Sequence, residues 1–411
     1  MQAVIMAGGK GTRIASVRSD VPKPMIEICG KPILWHQVEC LKAQGIKDIT
    51  LVIGHLGNVV RDYFSDGSSF GVSIHYIVEE EPLGTAGALY YLKGQMSDDF
   101  LLLNGDIIFD VDMHRFLQYH KKHGGLATIL THPNDHPYDS GLVVANQDGI
   151  VTKWMTKEDE RTYYKNRVNA GIHILSPRLL ERFTEPKKTD LDRDVLKNLI
   201  SENKLVAYDS PEYIKDMGTP ERYHAVTNDM QSGLVHAKNL LNRQKAIFLD
   251  RDGTLNKYKG FITDINDFEL LPGVCELIKE INKSGYLAIV VTNQPVIARG
   301  ECTLEELDLI HKKLETLLGE QGAYIDDLFY CPHHPDKGFE GERIEYKIEC
   351  DCRKPKPGML LEAAKKYNID LTQSFMVGDD ERDMEAGKRA GCKCVKTQCN
   401  QVMPFERIIQ K

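Results

Sequence analysis

The chain has 411 residues, 42% hydrophobic and 27% charged, with a formal net charge of −8. That length exceeds one ordinary hydrophobic core, so two or three domains are expected. The acidic balance argues against a nucleic-acid partner, which would need a basic face, and the absence of any membrane-length apolar run argues against a membrane partner.

Gln2-Ala-Val-Ile-Met6 reads as a buried first strand and not as a signal peptide, because it lacks a basic start and runs into glycines. Ala7-Gly-Gly-Lys-Gly-Thr-Arg13 follows. Gly8, Gly9 and Gly11 let backbone N–H groups approach a phosphate closely, and Arg13 adds a guanidinium fork. The spacing fits neither the dinucleotide fingerprint nor a Walker loop. In Val21-Pro-Lys-Pro-Met25 the flanking prolines are expected to hold Lys23 in an extended arm as a point charge.

Helical spacing over 32–44, 59–64 and 85–92 alternates with strand patterns over 49–53, 72–78 and 100–103. This rhythm predicts a mostly parallel, doubly wound α/β sheet. Asn104-Gly-Asp106 then puts a carboxylate at a strand's C-terminal end, where a metal ligand is useful. Glu79-Glu-Glu-Pro-Leu-Gly-Thr-Ala-Gly87 reads as a turn feeding a helix N-terminus, a place to hold an anion or a base edge. Val168-Asn-Ala-Gly-Ile172 follows. Thr219-Pro-Glu221, after Ile214-Lys-Asp216, opens a helix with proline in its first turn.

In this order GGKGTR, PKPM, EPLGTAG, LNGD, VNAG and DMGTPE resemble the sugar-1-phosphate nucleotidyltransferases, over residues 1–232. The resemblance implies that Gly8, Gly9, Gly11, Thr12 and Arg13 cradle a nucleoside triphosphate. It places Lys23 near the α-phosphate, so that Arg13 and Lys23 carry the catalysis, and Mg²⁺ on Asp106 and Asp216. Glu80 or the Gly84-Thr85 turn would meet base or sugar, Asn169 and Gly171 the sugar, and Lys157 the sugar phosphate. One motif departs. The family often has Glu-Lys-Pro where this chain has Thr156-Lys157-Glu158, so the usual glutamate to a sugar hydroxyl is in question.

Ser232-Gly233 ends the helix begun at Pro220, and 233–244 reads as a short linker without the composition of a flexible tether. A second α/β domain is expected over 245–411. Lys245-Ala-Ile-Phe-Leu249 is a buried strand that delivers Asp250 and Asp252 at its end, two positions apart and so facing one site. Two carboxylates on one spot call for a cation or a shared proton. A helix over 274–284 and a strand ending in Thr292-Asn-Gln294 follow, then Arg353-Lys-Pro-Lys-Pro-Gly358 and Gly378-Asp-Asp-Glu-Arg-Asp383.

DRDGT, Thr292, the lysine of RKPKPG and GDDERD together resemble the haloacid-dehalogenase-type phosphatases. The resemblance implies Asp250 as nucleophile, Asp252 as acid and base, and Thr292, Asn293 and Lys354 at the phosphoryl oxygens. Asp379 would complete a Mg²⁺ site with Asp250 and the Asp252 carbonyl. Cys331-Pro-His-His-Pro and Cys350-Asp-Cys352 add a four-ligand structural zinc reading on Cys331, His333, Cys350 and Cys352, with His334 as the competing ligand. Cys392, Cys394 and Cys399 lack a histidine partner. The interval from Asp250 to Thr292 is too short for a cap domain, so the zinc loop is expected to shape the pocket.

IARGE, CPHHP and CDCRKPKPGM narrow the resemblance to the D-glycero-D-manno-heptose 1,7-bisphosphate 7-phosphatases, with histidinol-phosphate phosphatases the nearest rival. Arg299 and Arg353 would bind the second, anomeric phosphate, whereas Pro295-Val296 and Asp380 depart from the usual residues. The two resemblances together imply a bifunctional enzyme. The second half makes heptose 1-phosphate; the first joins it to a nucleotide, favouring GTP, as in D-glycero-alpha-D-manno-heptose 1-phosphate guanylyltransferases that feed surface glycans. A hexose-1-phosphate transferase with another sugar phosphatase is the rival enzyme reading, and a non-catalytic binding module the rival from another class. Ten cysteines without a signal peptide suggest reduced thiols and a cytoplasmic setting. The sequence leaves oligomeric state open, a homo-oligomer included.

Overall fold

The computed structural model describes residues 1–8, 21–338 and 340–410. Two compact units result: Met1–His132 with Val143–Met155 and Asn169–Asn239, and Leu240–Lys411 with Pro133–Leu142 and Thr156–Val168. The second unit thus begins at Leu240 and recruits two early segments.

The first unit is laid down as β1 (Gln2–Met6), α1 (Ile33–Ala43), β2 (Asp48–Ile53), α2 (Gly57–Phe64), β3 (Ser73–Val78), β4 (Phe100–Asn104), β5 (Ile107–Asp110), α3 (Met113–His123) and β6 (Ala127–His132). It continues through β7 (Leu142–Ala145), β8 (Val151–Met155), β9 (Val168–Leu175), β10 (Leu205–Asp209), β11 (Tyr213–Asp216) and α4 (Pro220–Gln231). The large sheet runs β8-β7-β9-β4-β1-β2-β3, with β6 and β10 attached at β9. β1 is parallel to β2 and β4, while β9 runs antiparallel to β4. Both faces are apolar. Ile5, Leu101 and Leu103 enter one core, and Val4, Phe100 and Leu102 the other, the alternation a sheet covered on both sides requires. β5 and β11 form a separate antiparallel ribbon with Ile107 opposite Asp216.

Two local expectations change. Residues 85–92 do not form one α-helix; a 3₁₀ helix covers Gly87–Leu92, because Gly84 is drawn into a strand-like bridge with Thr189. Lys23 starts a 3₁₀ turn and is not held extended: Met25 N–H donates to Pro22 O at 2.8 Å, and the buried Pro24 and Met25 pin the turn.

The second unit comprises β12 (Lys245–Leu249), α5 (Val274–Lys283), β13 (Tyr286–Asn293), α6 (Leu304–Glu320), β14 (Asp327–Cys331), α7 (Gly358–Tyr367), β15 (Phe375–Gly378), α8 (Glu381–Ala390) and β16 (Lys393–Lys396). Its sheet, β14-β13-β12-β15-β16, is wholly parallel. Ile247 and Leu249 enter one core, Ala246 and Phe248 the other. The early segments are built in by buried polar contacts on α6. Arg167 Nη1 lies 3.2 Å from Glu315 Oε2, Asn166 N–H donates to that oxygen at 3.0 Å, and Tyr164 N–H to Thr316 Oγ1 at 2.9 Å. No helix among the described residues is long and apolar enough to cross a membrane.

Candidate active sites

In the second unit β12 ends at Leu249, and Asp250 N–H donates to Val377 O at 2.9 Å. The buried Lys354 ammonium lies 2.7 Å from Asp250 Oδ1, 2.7 Å from Asp383 Oδ1 and 2.8 Å from Val291 O. Burial works against that ammonium, but Asp250 and Asp383 outweigh it and raise its pKa. Burial pushes the Asp250 carboxyl up, and Lys354 opposes the shift. Asp250, Asp379 and Asp383 each offer an oxygen within 4.8 Å of the others, a hard donor set suited to Mg²⁺. Gly253, at φ +85°, permits this convergence, because a Cβ there would lie 2.5 Å from Asp379 Oδ2.

Asp252 is not one of that trio. Its carboxylate is gripped by Arg251 Nη2 at 2.9 Å to both oxygens, by Asn256 Nδ2 at 3.1 Å and by Gln294 Nε2 at 2.8 Å. Arg251 is fully buried. Gln294 Nε2 also donates to Thr292 Oγ1 at 2.8 Å, tying the two strand ends together. Asn293, expected at the phosphate, uses its amide on the Lys354 backbone: Nδ2 donates to Lys354 O at 3.0 Å, and Lys354 N–H to its Oδ1 at 3.0 Å. It therefore places the Lys354 main chain.

Cys331, His333, Cys350 and Cys352 come together. The sulfurs stand 3.2 to 3.5 Å apart, far beyond a disulfide, and His333 Nδ1 is 3.4 Å from Cys352 Sγ. Three soft donors and one imidazole around one point fit a closed tetrahedral zinc site. His334 does not compete; its Nδ1 accepts from Asp336 N–H at 3.2 Å. Burial lowers the His334 pKa, Arg353 presses it down further, and Asp336 opposes the shift. Arg353 Nη1 donates to His333 O at 3.1 Å, while Arg299 pairs with Glu301 at 2.7 Å.

In the first unit Gly8 closes β1. A Cβ there would meet Glu79 Oε2 at 2.5 Å, so Glu79, and not the exposed Glu80, faces the start of the glycine loop. Gly9, Gly11, Thr12 and Arg13 lie outside the described residues. Lys23 Nζ is 2.5 Å from Asp106 Oδ2. Met217 N–H donates to Asp106 O at 2.9 Å, so Asp106 and Asp216 lie at one end of the β5–β11 ribbon. Asp216 receives Arg222 Nη1 at 2.8 Å on both oxygens. Both carboxylates are thus paired with cations, Asp106 with Lys23 and Asp216 with Arg222. Gly171 packs on Asn104, whose Nδ2 a Cβ would meet at 2.6 Å. Lys157 is exposed on a turn of a segment belonging to the second unit.

Sequence reading missed Asp383, Gln294, Arg251 and Arg222. Asp383 is the last acid of a quoted motif and Gln294 the last residue of Thr292-Asn-Gln294, so both were in view without a role.

A family model described as nucleotidyl transferase matches residues 2–233, and one described as HAD-hydrolase-like matches residues 351–401. A probable mannose-1-phosphate guanylyltransferase 2 of Oryza sativa subsp. japonica is 34% identical over 54% of the chain, which spans 63% of that relative's length. A D-glycero-beta-D-manno-heptose-1,7-bisphosphate 7-phosphatase of Haemophilus influenzae is 47% identical over 36% of the chain and 78% of its own length. Among solved structures, HddC from Yersinia pseudotuberculosis aligns with a TM-score of 0.50 at 28% identity, over 56% of this chain and 99% of that one. The chain therefore belongs to the nucleotidyl transferase family through residues 2–233, and its second half belongs with the D-glycero-beta-D-manno-heptose-1,7-bisphosphate 7-phosphatases of the haloacid-dehalogenase superfamily.

Proposed function

We infer that the chain catalyses two consecutive reactions of nucleotide-activated heptose synthesis. The second unit removes the 7-phosphate of a D-glycero-D-manno-heptose 1,7-bisphosphate, and the first transfers a nucleotide, GMP from GTP, to the heptose 1-phosphate. The observation that carries this reading is the cluster of Asp250, Asp379 and Asp383 in one unit, with Lys354 paired to Asp250 and Asp383. The kinship of that unit to heptose bisphosphate phosphatases supplies the sugar.

In the phosphatase half Asp250 Oδ attacks the 7-phosphorus, and the bond to the sugar oxygen breaks as Asp252 gives that oxygen a proton. Asp252 then takes a proton from water, which attacks the aspartyl-phosphate, frees inorganic phosphate and restores Asp250. Thr292 and Lys354 hold phosphoryl oxygens. Arg299 and Arg353 hold the anomeric phosphate that stays. Mg²⁺ bound by Asp250, Asp379 and the Asp252 carbonyl, with Asp383 beside them, would neutralise charge on the transferring group. Zinc would stiffen the 331–352 loop.

In the transferase half an oxygen of the sugar 1-phosphate attacks the α-phosphorus of the triphosphate and pyrophosphate leaves. Lys23, Arg13 and the glycine loop position the phosphates, and Asp106 with Asp216 would hold Mg²⁺. Thr85, Gly84 and the Asn169–Gly171 strand line the base and sugar side. We place the work in the cytoplasm, with the product destined for surface glycans; ten free cysteines agree with a reducing setting. A hexose 1-phosphate reading follows from the kinship to mannose-1-phosphate guanylyltransferases. Phosphate and pyrophosphate release over a panel of heptose, mannose and glucose phosphates with five nucleotides separates the two. Faster turnover of mannose 1-phosphate, or a preference for any base but guanine, overturns the heptose–GTP assignment.

A further inference from the structure

The turn that carries Gly84 and Thr85 is stitched along its length to residues 187–191, all in the first unit. Gly84 bridges Thr189 in parallel register. Ala86 N–H donates to Thr189 O at 3.0 Å, Thr189 N–H to Leu83 O at 2.9 Å, and Leu191 N–H to Thr85 Oγ1 at 2.7 Å. Gly87 has no room for a side chain, since a Cβ would sit 2.2 Å from Lys187 O. The chain then enters a π-helical turn, Leu191–Leu196, a geometry that is rare and concentrated at functional sites. Its second residue is Asp192.

Asp192 Oδ1 accepts from Asn169 Nδ2 at 3.1 Å. The Asn169 amide is fixed from its other side, where Oδ1 accepts Gly171 N–H at 3.3 Å and meets His173 Nε2 at 3.1 Å. Burial pushes the His173 pKa down to about 4, so the ring stays neutral and its Nε2–H donates. That network leaves Asn169 one orientation, with its NH₂ toward Asp192. Asp192 thus stands where the 84–87 turn meets the Asn169–Gly171 strand.

A carboxylate has about four acceptor positions, yet among the described residues no hydrogen bond engages Asp192 Oδ2. Burial, with Asp190 second, works against its charge, and only Asn169 and Lys197 favour it. A half-buried anion so thinly supported has room for a further donor. Phosphates would be repelled here. A sugar's ring hydroxyls are neutral donors and suit it.

We propose that Asp192 is a specificity-determining residue of the transferase half, accepting through Oδ2 a hydrogen bond from a ring hydroxyl of the sugar 1-phosphate. This rests on the transferase reading above and adds the group that tells one sugar from another.

The test uses the full chain with Asp192→Asn and Asp192→Ala, assayed by pyrophosphate release from GTP with heptose 1-phosphate, mannose 1-phosphate and the ring-deoxy analogues of mannose 1-phosphate. Calorimetry with mannose 1-phosphate gives a binding readout free of turnover. The KM for the sugar phosphate rises by about tenfold to a hundredfold in Asp192→Ala, the scale of a lost hydrogen bond to a charged group, while the KM for GTP stays within about twofold. One deoxy analogue that binds poorly to the natural chain loses nothing further in the variants. Calorimetric binding of GTP, unchanged in the variants, certifies that the transferase half is folded. Equal rises in both KM values, or deoxy penalties that persist in the variants, overturn the proposal and leave Asp192 a mere support for Asn169. Failure of the natural chain to turn over any sugar 1-phosphate overturns the transferase reading, and the Asp192 role with it.

Discussion

Asp252 illustrates how a single residue acquires a task from its neighbours. Arg251, Asn256 and Gln294 together fix its carboxylate, with Gln294 also bonded to Thr292, apart from the metal-type trio. Such a group can trade a proton with a leaving oxygen and then with water. Asp252→Asn should therefore cut turnover of the sugar bisphosphate by about 10²- to 10⁴-fold. With p-nitrophenyl phosphate, whose leaving group needs no acid, the variant should give a burst of one equivalent and then stall, because water still lacks its base. A steady slow rate without a burst would remove Asp252 from the second step. Asp192 makes a prediction of a different kind. Burial, then Asp190, raises its carboxyl from 3.8 to about 6. A raised folded-state pKa contributes stability that is fully present below the unfolded value and is lost as pH rises through about 6. At pH 7.5 the ionised group costs about 1–2 kcal/mol after solvent screening. Asp192→Asn should thus melt higher than the natural chain at pH 7.5 and level with it near pH 4, by thermal unfolding at both pH values. A lower melting point at pH 7.5 would contradict this. The sequence named Asp250, Lys354, Asp106 and Asp216 because each lies in a short run with the charge its chemistry needs. Gln294 and Asp192 were given no role for a physical reason: the partners Asp252 and Asn169 come from distant segments, which local spacing does not report.

At the scale of elements, the strands were legible because alternate residues of β1 and β12 fill opposite cores, and buried parallel strands leave continuous apolar runs. The turns around Lys23 and Thr85 were not. Their form follows from buried prolines and from a bridge to Thr189 across a long stretch of chain, neither of which local periodicity reports. The zinc loop lies between these cases. Its pairs of ligands were readable, whereas the choice of His333 over His334 came from the Asp336 N–H that occupies the His334 ring. Zinc held by the four ligands that converge from residues 331–352 would make that loop's order depend on the ion. Elemental analysis should find one zinc per chain. Cys350→Ser, or exhaustive chelation, should lower the melting transition of the second unit and weaken phosphate release. Pyrophosphate release from sugar 1-phosphate should persist. A zinc-free chain with unchanged stability would refute the site.

At the scale of the whole molecule, the proposed reading runs the two chemistries in series, dephosphorylation before nucleotide transfer. The transferase half needs a nucleophile that carries phosphate on the anomeric carbon, and removal of the 7-phosphate leaves that group in place. The natural chain, given heptose 1,7-bisphosphate and GTP, should release inorganic phosphate first and pyrophosphate after a lag. Asp250→Asn should abolish both signals from the bisphosphate, because the first bond never breaks, yet release pyrophosphate at the natural rate from heptose 1-phosphate. Asp106→Asn should do the reverse: phosphate release intact, pyrophosphate lost from either starting point. The same assay settles the anomer. A chain that runs both steps in series must accept one anomer in both halves, since neither reaction touches the anomeric carbon–oxygen bond. The phosphatase relatives are named for the beta sugar, whereas the guanylyltransferase resemblance points to alpha. Separate α- and β-bisphosphates should therefore give phosphate release and pyrophosphate release with the same preference. If phosphate is released fastest from one anomer while pyrophosphate forms only from the other, the two halves do not serve one route, and the consecutive scheme falls even though each half keeps its chemistry.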